Sequence, residues 1–302
     1  MKSAKTKLWA HFKLMRPPNS LLTIVAIWVG VVATGGNAMS VEALFAMISA
    51  FLVVSGGFVI NDYYDREIDA INDPDRPIPS GLVTPTDAQS FGYLLMTMGV
   101  GVTIATLSVL AILIATTTAL LLDLYSRTLK TDHAIVGNAV TSYSTAITYV
   151  FGWASSPTSI DSNLLATLAS MFSITLVASL GREFMKAIDD VKGDQKCGIK
   201  TAAVKFGVRG AAWMATIFVI SSIVLSTIPW AVGVFGNSYI IGFVLVDGIG
   251  LVSCFWLMNK IRSGASMEAI MKHAKYSKNL LLIGMGIGVV SFALGKPVPT
   301  RR

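Results

Sequence analysis

Long apolar runs alternate with short polar segments along the whole chain. Nine of these runs are close to the ~20 residues that a helix needs to cross a bilayer. The predicted spans lie at residues 18–36, 41–61, 86–104, 107–124, 135–153, 163–183, 210–230, 238–258 and 279–296. Only a weak Gly/Thr signal separates the third span from the fourth. The pattern predicts an all-α, polytopic membrane protein whose nine transmembrane helices form one bundle.

The first 16 residues differ from the spans because basic and apolar side chains are interleaved there. This pattern is typical of an amphipathic helix that lies on the membrane surface. The start also resembles a signal peptide, but it has no clear small-residue cleavage site and further spans follow. We therefore expect an interfacial helix over 1–16 and an uncleaved first span.

Lysine and arginine residues predict the orientation of the bundle. Of the 24 Lys and Arg residues, 21 fall in alternating segments that would lie on one side of the membrane. These segments are 1–16, 62–85, 125–134, 182–209 and 259–278. Because positive loops stay in the cytoplasm, we expect a multi-pass protein of the cell membrane with its N-terminus and these loops inside and its C-terminus outside.

The composition excludes several classes of protein. A chain with 53% hydrophobic and only 14% charged residues is not a soluble globular domain. The net charge of +7 is accounted for by membrane topology, and no nucleic-acid-binding module is recognisable. Cys197 and Cys254 have neither metal-binding nor disulfide spacing. We expect the bilayer as the surroundings, with no nucleic acid and no obligate protein partner.

An acidic stretch over 61–81 follows the second span and holds six of the 17 acidic residues. If the helix continues, Asn61, Asp65 and Asp69 stack along one face at i, i+4 and i+8. Carboxylates this close repel one another, and a bound divalent cation removes the conflict. Oxygen ligands favour Mg²⁺. A solvated acidic loop is the alternative, which the direct continuation from a span makes weaker.

A second acidic stretch follows the sixth span and contains Asp190 and Asp194, again at i, i+4. A shift of 125 residues places Asp65 on Asp190 and Asp69 on Asp194. Both stretches end a span on the predicted cytoplasmic side. The pattern predicts two four-helix pseudo-repeats plus a ninth helix around a central cavity, with the two acidic clusters facing each other.

Two carboxylate clusters beside basic residues at one mouth of an apolar bundle suit an amphipathic substrate, and a prenyl diphosphate fits. Mg²⁺ held by the four aspartates would bridge the diphosphate oxygens and stabilise the departing pyrophosphate. The remaining allylic cation must be kept from water. Aromatic faces could stabilise it, although packing or interfacial anchoring explains them equally well. The aromatic candidates are Phe58, Tyr63, Tyr64 and Tyr125.

Two motifs resemble the signatures of a known family: Asn61-x₃-Asp65-x₃-Asp69 with Asp-Arg-Pro-Ile-Pro-Ser-Gly at 75–81, and Asp190-x₃-Asp194 with a later Gly-x₂-Thr. Both are similar to those of the intramembrane UbiA prenyltransferase superfamily, over nearly the whole chain. The resemblance implies nine transmembrane helices, a lateral opening for lipids and Mg²⁺-dependent transfer of a prenyl group from its diphosphate. It also implies one domain over 1–302, with active-site loops at 62–85 and 184–209.

The resemblance assigns roles to individual residues. By motif match, the metal and diphosphate are expected at Asn61, Asp65, Asp69, Asp190 and Asp194, where two Mg²⁺ ions would bridge the diphosphate. Substrate contacts are expected at Arg16, Asn19, Arg66, Tyr125, Lys130, Arg182 and Lys186. Arg76 is expected to brace its loop. Where family members often carry Leu-Pro, this chain has Ala202-Ala203.

The acceptor is less constrained than the donor. The segments 125–138 and 181–194 resemble most the archaeal ether-lipid branch, which implies transfer of geranylgeranyl to the hydroxyl of geranylgeranylglyceryl phosphate. Cationic residues around the second acidic stretch suit an acceptor that carries a phosphate. The segment 61–72 also resembles the chlorophyll-synthase branch, and an aromatic acceptor such as 4-hydroxybenzoate remains an alternative.

Two other functional classes compete with an enzyme. A secondary transporter also has duplicated halves and membrane-edge carboxylates, but it usually has charged or broken helices near the midplane. Asp247 in the eighth span is the one such residue, and we favour a hydrogen-bonded structural role for it. A non-enzymatic scaffold would not need paired acidic motifs.

Overall fold

A computed structural model describes residues 4–130 and 134–295, and this part of the chain is helical with no strands. The helices are α1 Ala4–Leu14, α2 Pro17–Ala33, α3 Val41–Tyr64, α4 Arg66–Asn72, α5 Pro85–Thr103, α6 Val109–Leu124, α7 Ala134–Ser155, α8 Ser162–Asp189, α9 Val191–Lys196, α10 Ala202–Lys205, α11 Gly207–Ala231, α12 Asn237–Arg262 and α13 Met267–Leu294. A 3₁₀ turn, Ile104–Thr106, extends α5, and a π-helical turn, Tyr125–Leu129, extends α6. The all-α prediction is confirmed.

Seven helices of the described ranges are long and apolar enough to cross a membrane, and the bent pair α1–α2 would make eight. The seven are α3, α5, α6, α8, α11, α12 and α13. The other two predicted spans coincide with α2, which has 17 residues, and with α7. The membrane prediction is thus confirmed, while the count of nine stays a prediction. The C-terminus beyond residue 295 and the first residues of the predicted interfacial helix lie outside the described residues.

Polar side chains at the helix starts explain where many helices begin. A capping oxygen accepts a hydrogen bond from the backbone N–H three residues later, which satisfies a donor that has no partner within the helix. Such caps are formed by Ser40, Thr84, Ser108, Asp161 and Ser266. The caps therefore fix the ends of the helices that carry the site.

Small residues set the distance between neighbouring helices. A Cβ on Gly56 of α3 would lie 2.7 Å from the carbonyl oxygen of Gly92 in α5, and a Cβ on Gly30 of α2 would lie 2.6 Å from that of Tyr149 in α7. In lipid, helices associate through such close backbone packing. Substituting these glycines would push the helices apart.

An aromatic cluster closes one end of the bundle. Its members are Tyr149, Phe235, Tyr239, Phe243 and Phe292, all buried. The ring centroids of Phe243 and Phe292 are 5.1 Å apart. The cluster packs on Ile174 of α8, which lies roughly four helical turns before the second acidic stretch. The aromatic cluster and the acidic stretches therefore occupy opposite ends of the bundle.

Candidate active site

The two acidic stretches have the same local backbone. α3 and α4 are separated by Asp65 alone, with φ −84° and ψ 0°, and α8 and α9 are separated by Asp190 alone, with φ −89° and ψ −1°. Helical hydrogen bonding continues through both breaks: the N–H of Asp69 donates to Asp65 O at 2.8 Å, and that of Asp194 donates to Asp190 O at 3.1 Å. The i, i+4 spacing of the acidic side chains that the sequence predicts is therefore kept through both breaks.

The two stretches lie against each other. The side-chain amide of Asn72, at the end of α4, donates a hydrogen bond to the carbonyl oxygen of Asp190 at 3.4 Å. A Cβ on Gly193 of α9 would displace the Asn72 side chain, so the glycine leaves room for this contact. Residues that are more than a hundred positions apart thus meet at one end of the bundle.

Most of the predicted acidic ligands are buried. Asn61, Asp65, Asp69 and Asp194 are 3–7% exposed, and Asp190 is half-buried. Burial raises the pKa of Asp69 to about 6, opposed by Arg76 and aided by the neighbouring carboxylates. Burial, together with Asp190, raises the pKa of Asp194 to about 7. Burial is thus the larger cause of both raised pKa values, and the repulsion between carboxylates that the sequence led us to expect adds to it.

Three cations pair with the buried aspartates of the first stretch. The Lys130 ammonium forms an ion pair with Asp65, and Asp65 raises the pKa of Lys130 although burial opposes this. Arg76 lies 2.6 Å from a carboxylate oxygen of Asp69 and 3.2 Å from one of Asp62. Asp62 also pairs with Arg16. Lys130, Arg76 and Arg16 are thus held together at the mouth of the bundle.

Arg16 has an unusual backbone conformation. Its φ of 46° and ψ of 63° are left-handed, and it joins α1 to α2 at a bend of 50°. The following proline disfavours the right-handed helical region for Arg16. The guanidinium lies 5.1 Å from the ring centroid of Phe58 as well as beside Asp62. A strained residue held by two side chains is typical of a functional site.

Three further cations surround the second stretch. Arg182 lies 3.4 Å and Lys186 lies 3.8 Å from carboxylate oxygens of Glu183. Lys278, from α13, forms an ion pair with Asp189. Sequence reasoning had assigned no role to Glu183, Asp189 or Lys278. The sequence shows that residue 278 is a lysine, but no local sequence pattern indicates that α13 packs on α8 and brings Lys278 to Asp189.

A cavity of about 300 Å³ extends into the bundle from these charged residues. Its charged end is lined by Arg16, Asn19, Asn61, Arg76, Arg182, Glu183, Lys186, Asp190 and Lys278. Its other end is lined by apolar and aromatic side chains, including Tyr149, Phe243 and Phe292. This shape suits a molecule with an anionic head and a long apolar tail.

The remaining predicted contacts are placed differently. Tyr125 is buried and lines the cavity, as does Phe58. Arg66 lies apart from the cavity wall: its guanidinium donates to the backbone carbonyl of Tyr63 at 2.9 Å and pairs with Glu67 at 3.7 Å. The structure therefore offers no cavity contact for Arg66.

Asp247 accepts a hydrogen bond from the Ser226 hydroxyl at 3.1 Å. This is the structural role expected for it, so the carboxylate that favoured a transporter has a partner within the bundle. Nothing else at this position points to transport.

The two stretches supply the types of ligand atom that a magnesium site uses. They are carboxylate and amide oxygens, which Mg²⁺ prefers. The side-chain nitrogen of Asn61 is buried without a hydrogen-bond partner among the described residues, so it is available to donate to an oxygen of a bound substrate, while the amide oxygen is the atom that could bind a metal. Across residues 4–130 and 134–295, no three acidic, histidine or cysteine side chains gather closely enough to hold an ion by themselves. A bound ion would need oxygens of the substrate as well.

The model of the UbiA prenyltransferase family matches residues 22–276. The chain belongs to this family. The digeranylgeranylglyceryl phosphate synthases of Hyperthermus butylicus and Methanopyrus kandleri are each 35% identical to it, over 94% of this chain and 95% and 97% of theirs. The resemblance to the UbiA superfamily seen in the sequence is confirmed.

Solved UbiA structures share the fold. One solved structure, reported for digeranylgeranylglyceryl phosphate synthase in membranes, has a TM-score of 0.71 with this chain at 26% sequence identity. The match covers 96% of this chain and 98% of that one. A UbiA homologue from Archaeoglobus fulgidus, bound to DMAPP and Mg²⁺, has a TM-score of 0.65 at 15% identity, covering 93% of this chain and 99% of its own. The latter likeness is one of fold alone.

Proposed function

We propose that this chain transfers the geranylgeranyl group of geranylgeranyl diphosphate to the hydroxyl of geranylgeranylglyceryl phosphate. Pyrophosphate is released and an ether bond forms in a membrane lipid. The observation that carries the proposal is the cavity: Asn61 and Asp190, one from each acidic stretch, line its charged end, and most of its remaining wall is apolar. The shared name of the curated relatives supports the same acceptor.

Asn61, Asp65, Asp69, Asp190 and Asp194 are the residues that would hold Mg²⁺ together with diphosphate oxygens. When bound, the metal supplies electrostatic stabilisation of the departing pyrophosphate. Two ions, one for each stretch, follow from the duplicated motif. The number of ions belongs to the proposal.

The cations of the first stretch orient the diphosphate. Lys130, Arg76 and Arg16 are ion-paired to carboxylates at the mouth of the bundle. They are positioned to exchange those carboxylates for phosphate oxygens as the substrate and metal bind. Charge-assisted hydrogen bonds of this kind are shorter and stronger than neutral ones.

The apolar interior keeps water from the reacting carbon. Breaking the bond to the diphosphate leaves positive charge on the allylic carbon, which water would capture. Phe58 and Tyr125 line the cavity near its charged end and present aromatic faces. Such faces stabilise a cation by about 0.5–2 kcal/mol. The acceptor hydroxyl then attacks in place of water and loses its proton.

The proposal includes an architecture. One domain over 1–302 crosses the membrane nine times, with α2 as a short span of 17 residues and α7 as a span of lower apolar character. The N-terminus and the acidic stretches face the cytoplasm, and the C-terminus lies outside. The matching breaks at Asp65 and Asp190 support two four-helix pseudo-repeats followed by a ninth helix.

The test is a transfer assay with the purified protein in vesicles. Labelled geranylgeranyl diphosphate is incubated with geranylgeranylglyceryl phosphate or 4-hydroxybenzoate, with Mg²⁺ or with a chelator. We expect prenylated product only with the glyceryl phosphate and only with Mg²⁺. Product with 4-hydroxybenzoate alone would replace the proposed acceptor, and product in chelator would remove the metal from the proposal.

A further inference from the structure

Ion pairing divides the cations at the charged end of the cavity into two groups. The first group consists of Arg16, Arg76 and Lys130, paired with Asp62, Asp65 and Asp69. The second group consists of Arg182, Lys186 and Lys278, paired with Glu183 and Asp189. Within the described ranges, no ion pair links one group to the other. The two groups therefore neutralise different carboxylates, while Lys130 and Lys186 are close enough to interact electrostatically with each other and with Asp190.

Lys278 connects the second group to the last helix. Its ammonium pairs with Asp189, and its backbone carbonyl accepts a hydrogen bond from the Arg182 side chain at 3.3 Å. The Lys278 side chain is 17% exposed and forms part of the cavity wall. A lysine needed only to hold α13 against α8 would not have to face the cavity.

The reaction proposed above brings two anionic heads into one cavity. The donor diphosphate occupies the first group and the metal-binding stretches. The acceptor phosphate carries a further charge of about −1.5 to −2 at neutral pH, and burying it without cations is costly. The second group offers three cations against two carboxylates, which leaves capacity for this anion.

We propose that Lys278, together with Arg182 and Lys186, binds the phosphate of the acceptor lipid at a site separate from the donor diphosphate. The ligand class is the phosphomonoester of a lipid alcohol. This inference rests on the proposed function. On binding, the Lys278 ammonium is shared between Asp189 and the phosphate, which holds the acceptor head between α8 and α13.

The experiment compares two acceptors that differ only in the phosphate. Wild type and Lys278→Gln are assayed with geranylgeranylglyceryl phosphate and with geranylgeranylglycerol, at saturating donor. We expect Lys278→Gln to lower kcat/KM about 10- to 100-fold for the phosphorylated acceptor, as for one charge-assisted contact. For geranylgeranylglycerol, kcat/KM should equal that of wild type, and the KM for the donor should not change.

Lys275→Gln provides the matched control. Lys275 lies about one turn earlier on α13 and is exposed, so this substitution should leave both acceptors unaffected. Lys278→Arg keeps the charge and should retain a preference for the phosphorylated acceptor. The double variant Lys278→Gln/Asp189→Asn also removes the Asp189 carboxylate, which Lys278→Gln leaves without its lysine partner. It should lose the preference for the phosphorylated acceptor as Lys278→Gln does. Its unfolding midpoint should be near that of wild type.

A merely structural Lys278 gives a different result. If Lys278→Gln and the double variant lose activity equally with both acceptors, Lys278 only joins the helices and the inference is overturned. Failure of the proposed function is distinguishable because wild type itself would then not prenylate geranylgeranylglyceryl phosphate. In that case the inference falls with it.

Discussion

At the scale of single residues, the site is organised by carboxylates that pair with cations. Asp65 and Asp69 pair with Lys130 and Arg76, and Asp62 holds Arg16 and Arg76 together. Each of these three buried carboxylates thus has a cation beside it. In the proposed function, substrate and metal take over these partners, so that Asp65 and Asp69 serve both as ligands and as holders of phosphate-binding cations.

Asp65→Asn should reduce turnover by at least about a hundredfold, since it removes one metal-binding charge and leaves Lys130 without its carboxylate. The measurement is pyrophosphate release at saturating donor and Mg²⁺. Asp87→Asn changes an exposed carboxylate at the start of α5 and is the control. Turnover that is equal in both variants would contradict a metal-binding role for Asp65.

The sequence was most informative where the chemistry is local. The spacing of Asn61, Asp65 and Asp69 on one helix face could be read directly, because helical periodicity fixes which side chains share a face. The role of Lys278 could not be predicted from the sequence, because it depends on the packing of α13 against α8. Arg66 shows the same limit: it follows Asp65 immediately, yet its guanidinium turns to Tyr63.

At the scale of helices, breaks and irregular turns position the charged residues. The π-helical turn Tyr125–Leu129 comes directly before Lys130, and single π-turns often occur at functional sites. Tyr125 turns into the cavity, while Arg127 is exposed and pairs with Asp123 at 2.9 Å. The family resemblance singled out Lys130 in this segment as a substrate contact, but the sequence did not indicate that Lys130 pairs with Asp65.

Substitutions on the two sides of this turn should differ in effect. Lys130→Ala should raise the KM for the donor about 10- to 100-fold through loss of a phosphate contact. Arg127→Ala should leave it unchanged, because Arg127 pairs away from the cavity. Initial rates over a range of donor concentrations measure both, and an equal rise in the two variants would place the diphosphate elsewhere.

The contact between α4 and α9 brings the two acidic stretches together. Gly193→Ala should destabilise the fold by about 0.5–1.5 kcal/mol and lower activity, because the added methyl displaces the Asn72 side chain from its hydrogen bond to Asp190. Thermal unfolding and prenyl transfer measure the two effects. Asn72→Ala in the same chain should restore stability by making room.

Gly248→Ala is the control for this contact, because a Cβ at Gly248 would meet no atom within 4 Å. It should leave stability and activity near those of wild type. If Gly193→Ala behaved in the same way, the close approach of α4 and α9 would not be needed for function.

At the scale of the whole molecule, the cavity explains why α7 is less apolar than the other predicted spans. The face of α7 toward the cavity carries Thr141, Ser142, Ser144, Thr145 and Thr148. Hydroxyls lower the apolar character of the helix, although most of those on α7 bond to its own backbone, as Ser144 does to Val140 O at 2.8 Å. A helix that lines a substrate cavity need not be as apolar as one that faces lipid.

The same cavity has a measurable depth. Along α13 it extends from Lys278 to Phe292, about 21 Å at 1.5 Å per residue. Phe292 contacts Phe243 and Tyr149, with ring centroids 5.1 Å and 5.6 Å apart, and all three line the far end. An extended geranylgeranyl chain is of comparable length, so this end should limit the tail of the donor.

Phe243→Leu should therefore admit a longer donor. We expect the ratio of kcat/KM for geranylfarnesyl diphosphate to that for geranylgeranyl diphosphate to rise on the order of tenfold, because the smaller side chain opens the end of the cavity. Competition between the two donors in one reaction measures this ratio. Phe235→Leu is the matched control, since Phe235 belongs to the same buried cluster but lies outside the cavity wall. An equal ratio in the two variants would mean that the tail leaves the cavity by another route.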